Sequence, residues 1–186
     1  MIEIRIHGRG GQGAVVASKV LASAFFKEGK WVQVFPSFGA ERRGAPVVAY
    51  ARVDDREITL RCTIRNPDHL IVLDDNLMHM PDLTQGLKER GFILVNTNKD
   101  PNQFHMDPTF HVATVDANAI ALRYALGSQG LPIVSTIILG GFAKITGLLK
   151  LSNILEAIRE NVPISVKQNI AGAKEAYQLV KTGKRL

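Results

Sequence analysis

The chain has 186 residues, a length that suits one domain, residues 1–186, because two half-size domains would each bury proportionately less surface. Hydrophobic residues make up 46% of the chain and charged residues 22%, an ordinary globular mixture that excludes a disordered chain. The net charge of +6 favours anionic partners. The basic residues are spread along the chain and do not cluster with aromatic residues, so we do not expect nucleic acid to be the partner.

Several classes of protein are excluded by what the sequence lacks. No apolar run approaches the ~18 residues that a membrane span needs, and the first residues carry no signal-peptide pattern. One cysteine, Cys62, allows neither an internal disulfide nor a cysteine-cluster metal site, and the histidines lack zinc-ligand spacing. We therefore expect a soluble cytoplasmic protein with no membrane partner and no metal of its own.

Strand and helix patterns alternate through the first third of the chain. Residues 2–6 alternate apolar and polar side chains and predict a strand, and residues 14–27 place apolar side chains on one helix face. Residues 31–35 predict a second strand, which a long polar loop follows. Residues 47–53 and 57–63 flank three polar residues and predict an inserted antiparallel hairpin, with Cys62 as a small buried side chain.

The middle of the chain predicts parallel strands. Residues 70–73 and 92–95 are continuous apolar runs, as expected for strands covered on both faces, and residues 83–90 between them have a helical pattern. Residues 110–115 predict another strand. Asp116 follows it and is placed to cap the next helix.

The last third of the chain predicts mostly helix. Residues 134–149 have a helical pattern interrupted by glycines, and such small residues let another backbone come close. Ser152 can cap a helix through Arg159, residues 165–181 predict the last helix, and Gly183 stands where a helix C-terminus is commonly closed. The alternating elements predict an α/β fold, a Rossmann-like three-layer sandwich with a mostly parallel sheet, the inserted β-hairpin and a helical C-terminal region.

A glycine-rich turn, GRGGQG, joins the first predicted strand to the first predicted helix at residues 8–13. Its spacing satisfies G-x-G-x-x-G in the context of a dinucleotide-binding turn. Glycines let backbone N–H groups approach an anion, the helix start adds its positive dipole end, Arg9 adds a charge and Gln12 an amide donor. The alternative is that the glycines only form a tight turn and let the helix pack on the strand.

The second strand tests whether the ligand is a nicotinamide nucleotide. NAD binding requires a carboxylate about 20 residues beyond the glycines, but the strand runs into Pro36 and Ser37. Glu41 lies too far along and stands beside Arg42 and Arg43. NAD is therefore disfavoured, whereas a free-standing NADP-dependent reductase stays open, as does a basic nucleic-acid-binding module.

Polar residues also follow other predicted strands. Ser37, Arg42 and Arg43 can meet phosphate or carboxylate oxygens, and the alternative is a structural loop with a local ion pair. The pair Asp74-Asp75 follows a buried strand and is expected to cap a helix, with a metal or a ribose as the alternative. Residues 96–98 form a similar loop that can lie near a ligand.

Three segments together resemble a known family. GRGGQG, FPSFGAERRGAPV and IRNPDHLIVLDDNL, in this order, resemble the gamma subunit of pyruvate:ferredoxin oxidoreductase (pyruvate synthase) and of related 2-oxoacid:ferredoxin oxidoreductases, over nearly the whole chain. The resemblance implies a non-catalytic subunit of an oxidoreductase that converts a 2-oxoacid and coenzyme A to acyl-CoA, carbon dioxide and reduced ferredoxin.

The resemblance also implies partners and cofactors. The expected partners are the alpha, beta and delta subunits, with ferredoxin as the electron acceptor of the complex. Thiamine diphosphate, magnesium and [4Fe-4S] clusters are expected on those partner subunits. The sequence agrees on one point, because a single cysteine cannot ligate such a cluster.

For this chain, the resemblance implies a contribution to the coenzyme A site and no catalytic residue. The GAERRGAP loop can instead contact the alpha subunit. The loop resembles the pyruvate branch of the family, while 2-oxoisovalerate stays open as the oxoacid. The predicted contact residues are Gly8, Arg9, Gly10, Gly11, Gln12, Gly13, Ser37, Arg42 and Arg43.

Overall fold

A computed structural model describes residues 1–37 and 44–183. Within these ranges the strands are β1 (Ile2–Arg9), β2 (Trp31–Ser37), β3 (Pro46–Asp54), β4 (His69–Val72), β5 (Phe92–Asn96), β6 (His111–Val115), β7 (Gly127–Ser128), β8 (Leu131–Pro132) and β9 (Lys181–Thr182). The α-helices are α1 (Ala14–Lys27), α2 (Ala117–Arg123), α3 (Ile137–Thr146), α4 (Leu151–Asn161) and α5 (Val166–Leu179). Short 3-10 helices lie at Asp75–His79 and Pro101–Gln103. No helix among the described residues is long and apolar enough to cross a membrane.

Seven strands form one sheet in the order β2-β3-β1-β4-β5-β6-β9, and β7 pairs with β8 in a separate small hairpin. The strands β1, β4, β5 and β6 pair with one another in parallel. The strands β3 and β9 are antiparallel to these four strands. The strand β2 pairs antiparallel with β3 and is therefore parallel to the four. The predicted α/β fold with a mostly parallel sheet is confirmed.

Two apolar clusters cover the two faces of the sheet. The larger cluster packs side chains of all five helices on one face, for example Leu21 and Phe25 of α1 and Phe142 of α3. The smaller cluster covers β4 and β5 on the other face, and loops and the 3-10 helix supply its outer side chains, Leu77, Leu83 and Leu87. The third layer is therefore made of loops and short 3-10 turns. Burial on both faces explains the continuous apolar sequences of β4 and β5.

The hairpin lies at a different place from the one predicted. Residues 57–63, all of which are described, form no strand. Instead β3 pairs antiparallel with β2 on one side, Trp31 opposite Asp54, and with β1 on the other, Ile2 opposite Val53. Both edges of β3 are thus occupied, so the prediction of a strand at residues 57–63 paired with residues 47–53 is wrong.

The burial of Cys62 was also wrongly predicted, because the segment that carries it is a loop and not a strand. The thiol is exposed, and its sulfur accepts a hydrogen bond at 3.5 Å from the Arg52 guanidinium. Arg52 itself is only 1% exposed and lies on β3. Its neighbours Ala51 and Val53 pack against the helices, so the Arg52 side chain lies on the other face of the sheet.

Residues 83–90 form consecutive turns and no helix. Gly86 has φ +75°, and a Cβ there would lie 2.2 Å from the carbonyl oxygen of Arg65, so this turn packs tightly against another loop. Leu83 and Leu87 are both buried in the smaller cluster. Two buried leucines four residues apart are also typical of one face of a helix, which is why the sequence pattern predicts a helix here.

Two predicted helix ends differ in the structure. Ser152 lies inside α4, and the N-cap residue of α4 is Lys150. Glu28, just after α1, holds this helix start by accepting hydrogen bonds at 2.8 Å from the Lys150 amide and at 2.9 Å from the Asn153 side chain. α5 ends at Leu179, and the chain continues into β9, so Gly183 does not close a helix. The predicted cap at Asp116 is confirmed, with Oδ1 accepting from the Ala119 amide at 2.8 Å.

The glycines of α3 allow the close helix contact that the sequence predicts. A Cβ at Gly140 would lie 1.9 Å from the carbonyl oxygen of Ala173 in α5. A Cβ at Gly172 of α5 would lie 2.9 Å from Ile137 of α3. Each helix therefore supplies a glycine where the other comes closest.

Candidate functional site

The candidate site lies at the carboxyl ends of β1 and β4, where the direction of strand addition changes. From β1 the chain proceeds to β2 and β3 on one side, and then returns to β4, β5 and β6 on the other. In open α/β sheets, ligands bind in the crevice at such a switch point. The glycine turn follows β1 and the pair Asp74-Asp75 follows β4, so the fold brings these two predicted motifs together.

The first and last glycines of the turn fill close packing positions. Gly13 has φ +83° and caps α1, and a Cβ there would lie 2.8 Å from the Ser135 hydroxyl oxygen. A Cβ at Gly8 would lie 3.1 Å from the Leu73 side chain. For these two glycines the structure supports the packing role that the sequence left as an alternative, and packing does not prevent a backbone contact with a ligand.

Only some amides of the turn are available to a ligand. The Gly10 amide donates to the Ala45 carbonyl at 2.9 Å, and the Gln12 amide donates to the Arg9 carbonyl at 3.0 Å. Within the described part of the chain, the amides of Gly11 and Gly13 have no such acceptor. These two N–H groups, at the positive end of α1, are the ones that can meet an anion.

Arg9 is held in place by an ion pair. Its Nε donates to Asp74 Oδ2 at 2.8 Å and its Nη1 donates to the Gly44 carbonyl at 3.2 Å. The side chain of Gln12 joins the same group, because its Oε1 accepts from the Arg9 amide at 2.8 Å and its Nε2 donates to Asp74 Oδ2 at 3.3 Å. Arg9 and Gln12 therefore fix the turn against the end of β4.

Asp74 has the capping role that the sequence favours. Its Oδ1 accepts from the Asn76 amide at 3.0 Å, at the start of the 3-10 helix. Burial raises the pKa of Asp74, but the hydrogen bonds from Asn76 and Arg9 outweigh burial, so its pKa lies below the ordinary value. Asp75 instead accepts from the Thr97 hydroxyl at 2.9 Å and pairs with Lys99 at 3.0 Å.

The segment between β2 and β3, residues 38–45, carries Arg42 and Arg43 and is called the arginine loop; the strand ends on either side of it lie at the same end of the sheet as the glycine turn. Ser37 is the last residue of β2, at the same end of the sheet, and Arg42 and Arg43 lie outside the described residues. Where the chain is described again, the Gly44 amide donates to the Gly10 carbonyl at 3.4 Å. The glycine turn and the described residues on either side of the arginine loop, Ser37 and Gly44, therefore lie at one end of the sheet.

A cleft of about 270 Å³ opens next to the turn. Asn96, at the end of β5, lines the cleft and connects two other lining residues: its Nδ2 donates to the Leu73 carbonyl at 2.9 Å and to Asn118 Oδ1 at 3.1 Å. The sequence prediction that residues 96–98 lie near a ligand site is consistent with this position. The residues that line the cleft are Gln12, Leu73, Asp74, Asp75, Asn76, Asn96, Asn118, Leu122, Gln129, Gly130, Leu131, Pro132 and Val134.

Sequence reasoning missed Asn118, Gln129 and Leu131. Asn118 lies three residues beyond the end of β6. Residues 96–98 were predicted to lie near a ligand because they follow a strand, and the same argument applies to Asn118. Gln129 and Leu131 belong to the β7-β8 hairpin. Its glycines, Gly127 and Gly130, are the sequence feature from which a turn could have been predicted here. Among the described residues, no group of three or more His, Cys, Asp or Glu side chains is arranged to hold a metal ion.

His7, which precedes the turn on β1, has a buried Nε2 with no hydrogen-bond partner among the described residues. Burial, and then the nearby Arg5 cation, lower its pKa from 6.5 to about 3. The imidazole is therefore neutral in the folded protein at neutral pH, and it takes no part in anion binding as a cation.

This burial predicts acid sensitivity. Between pH 6.5 and about 3 the unfolded chain binds a proton at His7 that the folded chain does not. The free energy of unfolding therefore decreases as the pH falls through this window, by about 1.4 kcal/mol for each pH unit. Urea unfolding at several pH values should show a flatter dependence for His7→Phe. The same change at exposed His105 should leave the slope as it is, and an equal slope in His7→Phe would contradict the assignment.

Comparison with known proteins places this geometry in a family. The family model described as pyruvate ferredoxin/flavodoxin oxidoreductase matches residues 3–179. The chain is 50% identical to the pyruvate/ketoisovalerate oxidoreductases common subunit gamma of Thermococcus kodakarensis over 182 residues, which cover 95% of this chain and 96% of that protein. It is 44% identical to the pyruvate synthase subunit PorC of Methanothermobacter thermautotrophicus, with 96% and 95% covered.

A solved structure agrees with the sequence relatives. The pyruvate oxidoreductase subunit PORC of Thermotoga maritima superposes with a TM-score of 0.83 at 35% identity, covering 98% of each chain. A family match over nearly all of the chain and relatives of this identity and coverage give the same assignment. The chain therefore belongs to the pyruvate ferredoxin/flavodoxin oxidoreductase family, among its gamma subunits.

Proposed function

We propose that this chain is the non-catalytic gamma subunit of a multisubunit pyruvate:ferredoxin oxidoreductase, which converts pyruvate, coenzyme A and oxidised ferredoxin to acetyl-CoA, carbon dioxide and reduced ferredoxin. The gamma-subunit family membership supports this proposal, as do relatives named for pyruvate synthase. Alpha, beta and delta subunits are the proposed partners. They would hold thiamine diphosphate, magnesium and the [4Fe-4S] clusters. For the clusters the sequence supplies a reason, because each cluster needs several cysteine ligands and this chain has one cysteine.

Within that complex, the chain would help to form the coenzyme A site. The main support for this proposal is that the last residues of the arginine loop, Gly44 and Ala45, are hydrogen-bonded to the glycine turn. Gly10 bonds to both of them, and the Arg9 side chain donates to the Gly44 carbonyl. Coenzyme A carries a pyrophosphate and a 3′-phosphate, which suit free amides at a helix start and nearby guanidinium groups.

The contact residues have separate proposed roles in this site. The free amides of Gly11 and Gly13, with the hydroxyl of Ser37 and the guanidinium groups of Arg42 and Arg43, would meet phosphate oxygens. Arg9 already pairs with Asp74, so we assign it a positioning role, in which it holds the end of the loop. Gly8, Gly10 and Gln12 would keep the turn in the shape that exposes its two free amides.

Substitution of both loop arginines tests the proposal. In the assembled enzyme, Arg42→Ala/Arg43→Ala should raise the apparent KM for coenzyme A at least about tenfold, because each charge-assisted hydrogen bond contributes about 1.5–3 kcal/mol. Thiamine-dependent decarboxylation without coenzyme A should be nearly unchanged. Arg56→Ala/Arg61→Ala removes the same charge from exposed positions elsewhere in the chain and should leave KM as it is. An unchanged KM in the first variant would refute the coenzyme A role.

The same preparation separates two alternatives. If GAERRGAP instead contacts the alpha subunit, the Arg42→Ala/Arg43→Ala chain will fail to co-purify with that subunit. The second candidate oxoacid is 2-oxoisovalerate, favoured by the name of the Thermococcus kodakarensis relative, a subunit common to the pyruvate and ketoisovalerate oxidoreductases. Assaying the co-purified complex with each oxoacid decides between them.

A further inference from the structure

One face of the sheet is only partly covered by the chain itself. Among the described residues, the smaller apolar cluster lies over β4 and β5 and includes no residue of β1, β2 or β3. On these three strands, the residues that alternate with those of the larger cluster point to the side away from the helices. We call this side of β1, β2 and β3 the open face; its side chains include Arg5, Phe35, Val48 and Tyr50. A sheet face normally packs against another layer.

Two stacked aromatic rings form the apolar part of the open face. The ring centres of Phe35 and Tyr50 lie 5.0 Å apart. Both side chains are half-buried, and in the described part of the chain neither belongs to an apolar cluster. The Tyr50 hydroxyl has no hydrogen-bond partner within residues 1–37 and 44–183, although a buried tyrosine hydroxyl usually has one. Phe35 and Tyr50 can therefore bury more apolar area and still offer one O–H donor.

Arg5 is a buried cation without a carboxylate. The side chain is 9% exposed, and its Nη2 donates to the carbonyls of Leu83 at 2.7 Å and of Gln85 at 3.0 Å. Its Nε is buried without a partner, and no carboxylate among the described residues pairs with the guanidinium. Arg52, buried on the same face, shows the usual arrangement, because Glu3 pairs with it at 2.9 Å. Buried charges are rarely left without a counter-charge, so an acidic ligand would complete the surroundings of Arg5.

Arg5 and Tyr50 face each other across neighbouring strands. They are directly opposite in the register of β1 and β3, where side chains on one face have Cβ atoms about 4.5–5.5 Å apart. Burial lowers the pKa of Arg5, and the nearby Tyr50 acts in the opposite direction. Arg5 Nη1 makes no hydrogen bond within the described residues and, unlike Nε, it is not enclosed. A guanidinium N–H and a phenol O–H are thus both available to one carboxylate, next to the stacked rings.

We propose that the open face docks a segment of a partner subunit, with an Asp or Glu side chain of that segment on Arg5 and Tyr50 and a neighbouring apolar side chain on Phe35. This assignment rests on the proposed function for the presence of partner subunits, and not on the identity of the oxoacid or on coenzyme A. Charge complementarity selects an acidic partner segment, because Arg5 supplies a buried cation that only carbonyl groups contact.

A second copy of this chain fits the open face poorly. In a twofold contact the same patch lies on both sides, so each Arg5 would need a carboxylate from the open face of the other copy. The described carboxylates there, Glu3 and Asp54, are already paired, with Arg52 at 2.9 Å and with the amino terminus at 3.2 Å. Such a contact would bring two Arg5 cations together, which Coulomb repulsion disfavours.

Hydroxyl-radical labelling read by mass spectrometry locates the contact in the assembled complex. The oxidation rates of Tyr50 and Phe35 should fall at least about fivefold from the free chain to the complex, because the centre of an interface is buried and closely packed. Phe25 and Phe142, which are buried in the larger cluster, should stay unlabelled in both and show that the chain remains folded.

Two substitutions test the carboxylate contact through the affinity of the chain for the remaining subunits. Tyr50→Phe removes a hydroxyl without a partner in the described chain, so urea unfolding should be unchanged while the dissociation constant rises about tenfold. Arg5→Gln keeps one donor for the loop carbonyls but removes the charge, so it should weaken binding similarly and reduce the salt dependence of binding. The controls Tyr177→Phe on α5 and Arg159→Gln on α4 make the same chemical changes outside the open face and should leave the dissociation constant as it is.

Three outcomes would contradict these assignments in different ways. Equal labelling of Tyr50 in the free chain and in the complex, or an unchanged dissociation constant for Tyr50→Phe, overturns the docking assignment. Protection of Tyr50 that develops in the isolated chain as its concentration rises would assign the open face to a second copy and would overturn it as well. The proposed function fails separately, because a complex that protects Tyr50 but does not oxidise pyruvate would contradict the pyruvate reaction and support the docking assignment.

Discussion

Gly140→Ala should destabilise the chain by about 3 kcal/mol or more, the upper end of what one extra methyl group costs in a packed core. The added Cβ would lie 1.9 Å from the carbonyl oxygen of Ala173, and a backbone atom cannot turn aside as a flexible side chain can. Relief requires α3 and α5 to separate, which exposes apolar surface along both helices. For a domain of this size, the midpoint of thermal unfolding should fall by about 6–12 °C.

The neighbouring glycine supplies the matched control. A Cβ at Gly141 would make only ordinary contacts, 3.5 Å from Val180 and 3.6 Å from Leu94. Alanine is favoured over glycine in a helix interior by up to about 1 kcal/mol, so Gly141→Ala should keep or raise the stability. Equal effects of the two substitutions in urea unfolding would show that helix propensity, and not the contact with Ala173, governs this position.

The sequence predicted those elements that depend on local patterns. β1 was predicted from its alternating apolar and polar residues, and β4 and β5 from their continuous apolar runs. The cap at Asp116 was predicted from its place before a helix. The missing partner of β3 was assigned to residues 57–63 because a short polar turn precedes them. The true partner, β2, lies across a longer loop, and only the occupied edges of β3 in the folded sheet reveal that no strand can be added there.

The candidate site was predicted in outline and not in its contacts. The glycine turn, Ser37 and Asp74 each stand at or just after the end of a strand, so the α/β topology alone places them at one end of the sheet. The pairing of Arg9 with Asp74 joins residues 65 positions apart, a distance at which local sequence gives no register. That pairing is the reason why we propose a positioning role for Arg9 and not the ligand contact that the sequence predicts.

A second group of long-range contacts surrounds the buried guanidinium of Arg52 on β3. Its Nε donates to Glu3 on β1 at 2.9 Å, and its Nη1 donates to Gln33 on β2 at 3.1 Å. The guanidinium carbon also lies 5.5 Å from the centre of the Phe35 ring. Arg52 therefore connects the three strands that carry the turn and the loop, but its buried charge depends on a single carboxylate.

Glu3→Gln should accordingly cost about 3 kcal/mol, because removal of one partner of a buried pair leaves the other charge uncompensated. Arg52→Met should cost less, since the Glu3 side chain is 15% exposed, against 1% for Arg52, and water can reach it. The double variant should be no less stable than Glu3→Gln, and urea unfolding of all three variants measures this coupling. Asp55→Asn, in the exposed pair with Lys30, should change stability far less than Glu3→Gln, because solvent screens this pair. A similarly small effect of Glu3→Gln would mean that Gln33 and Phe35 suffice to hold the charge of Arg52.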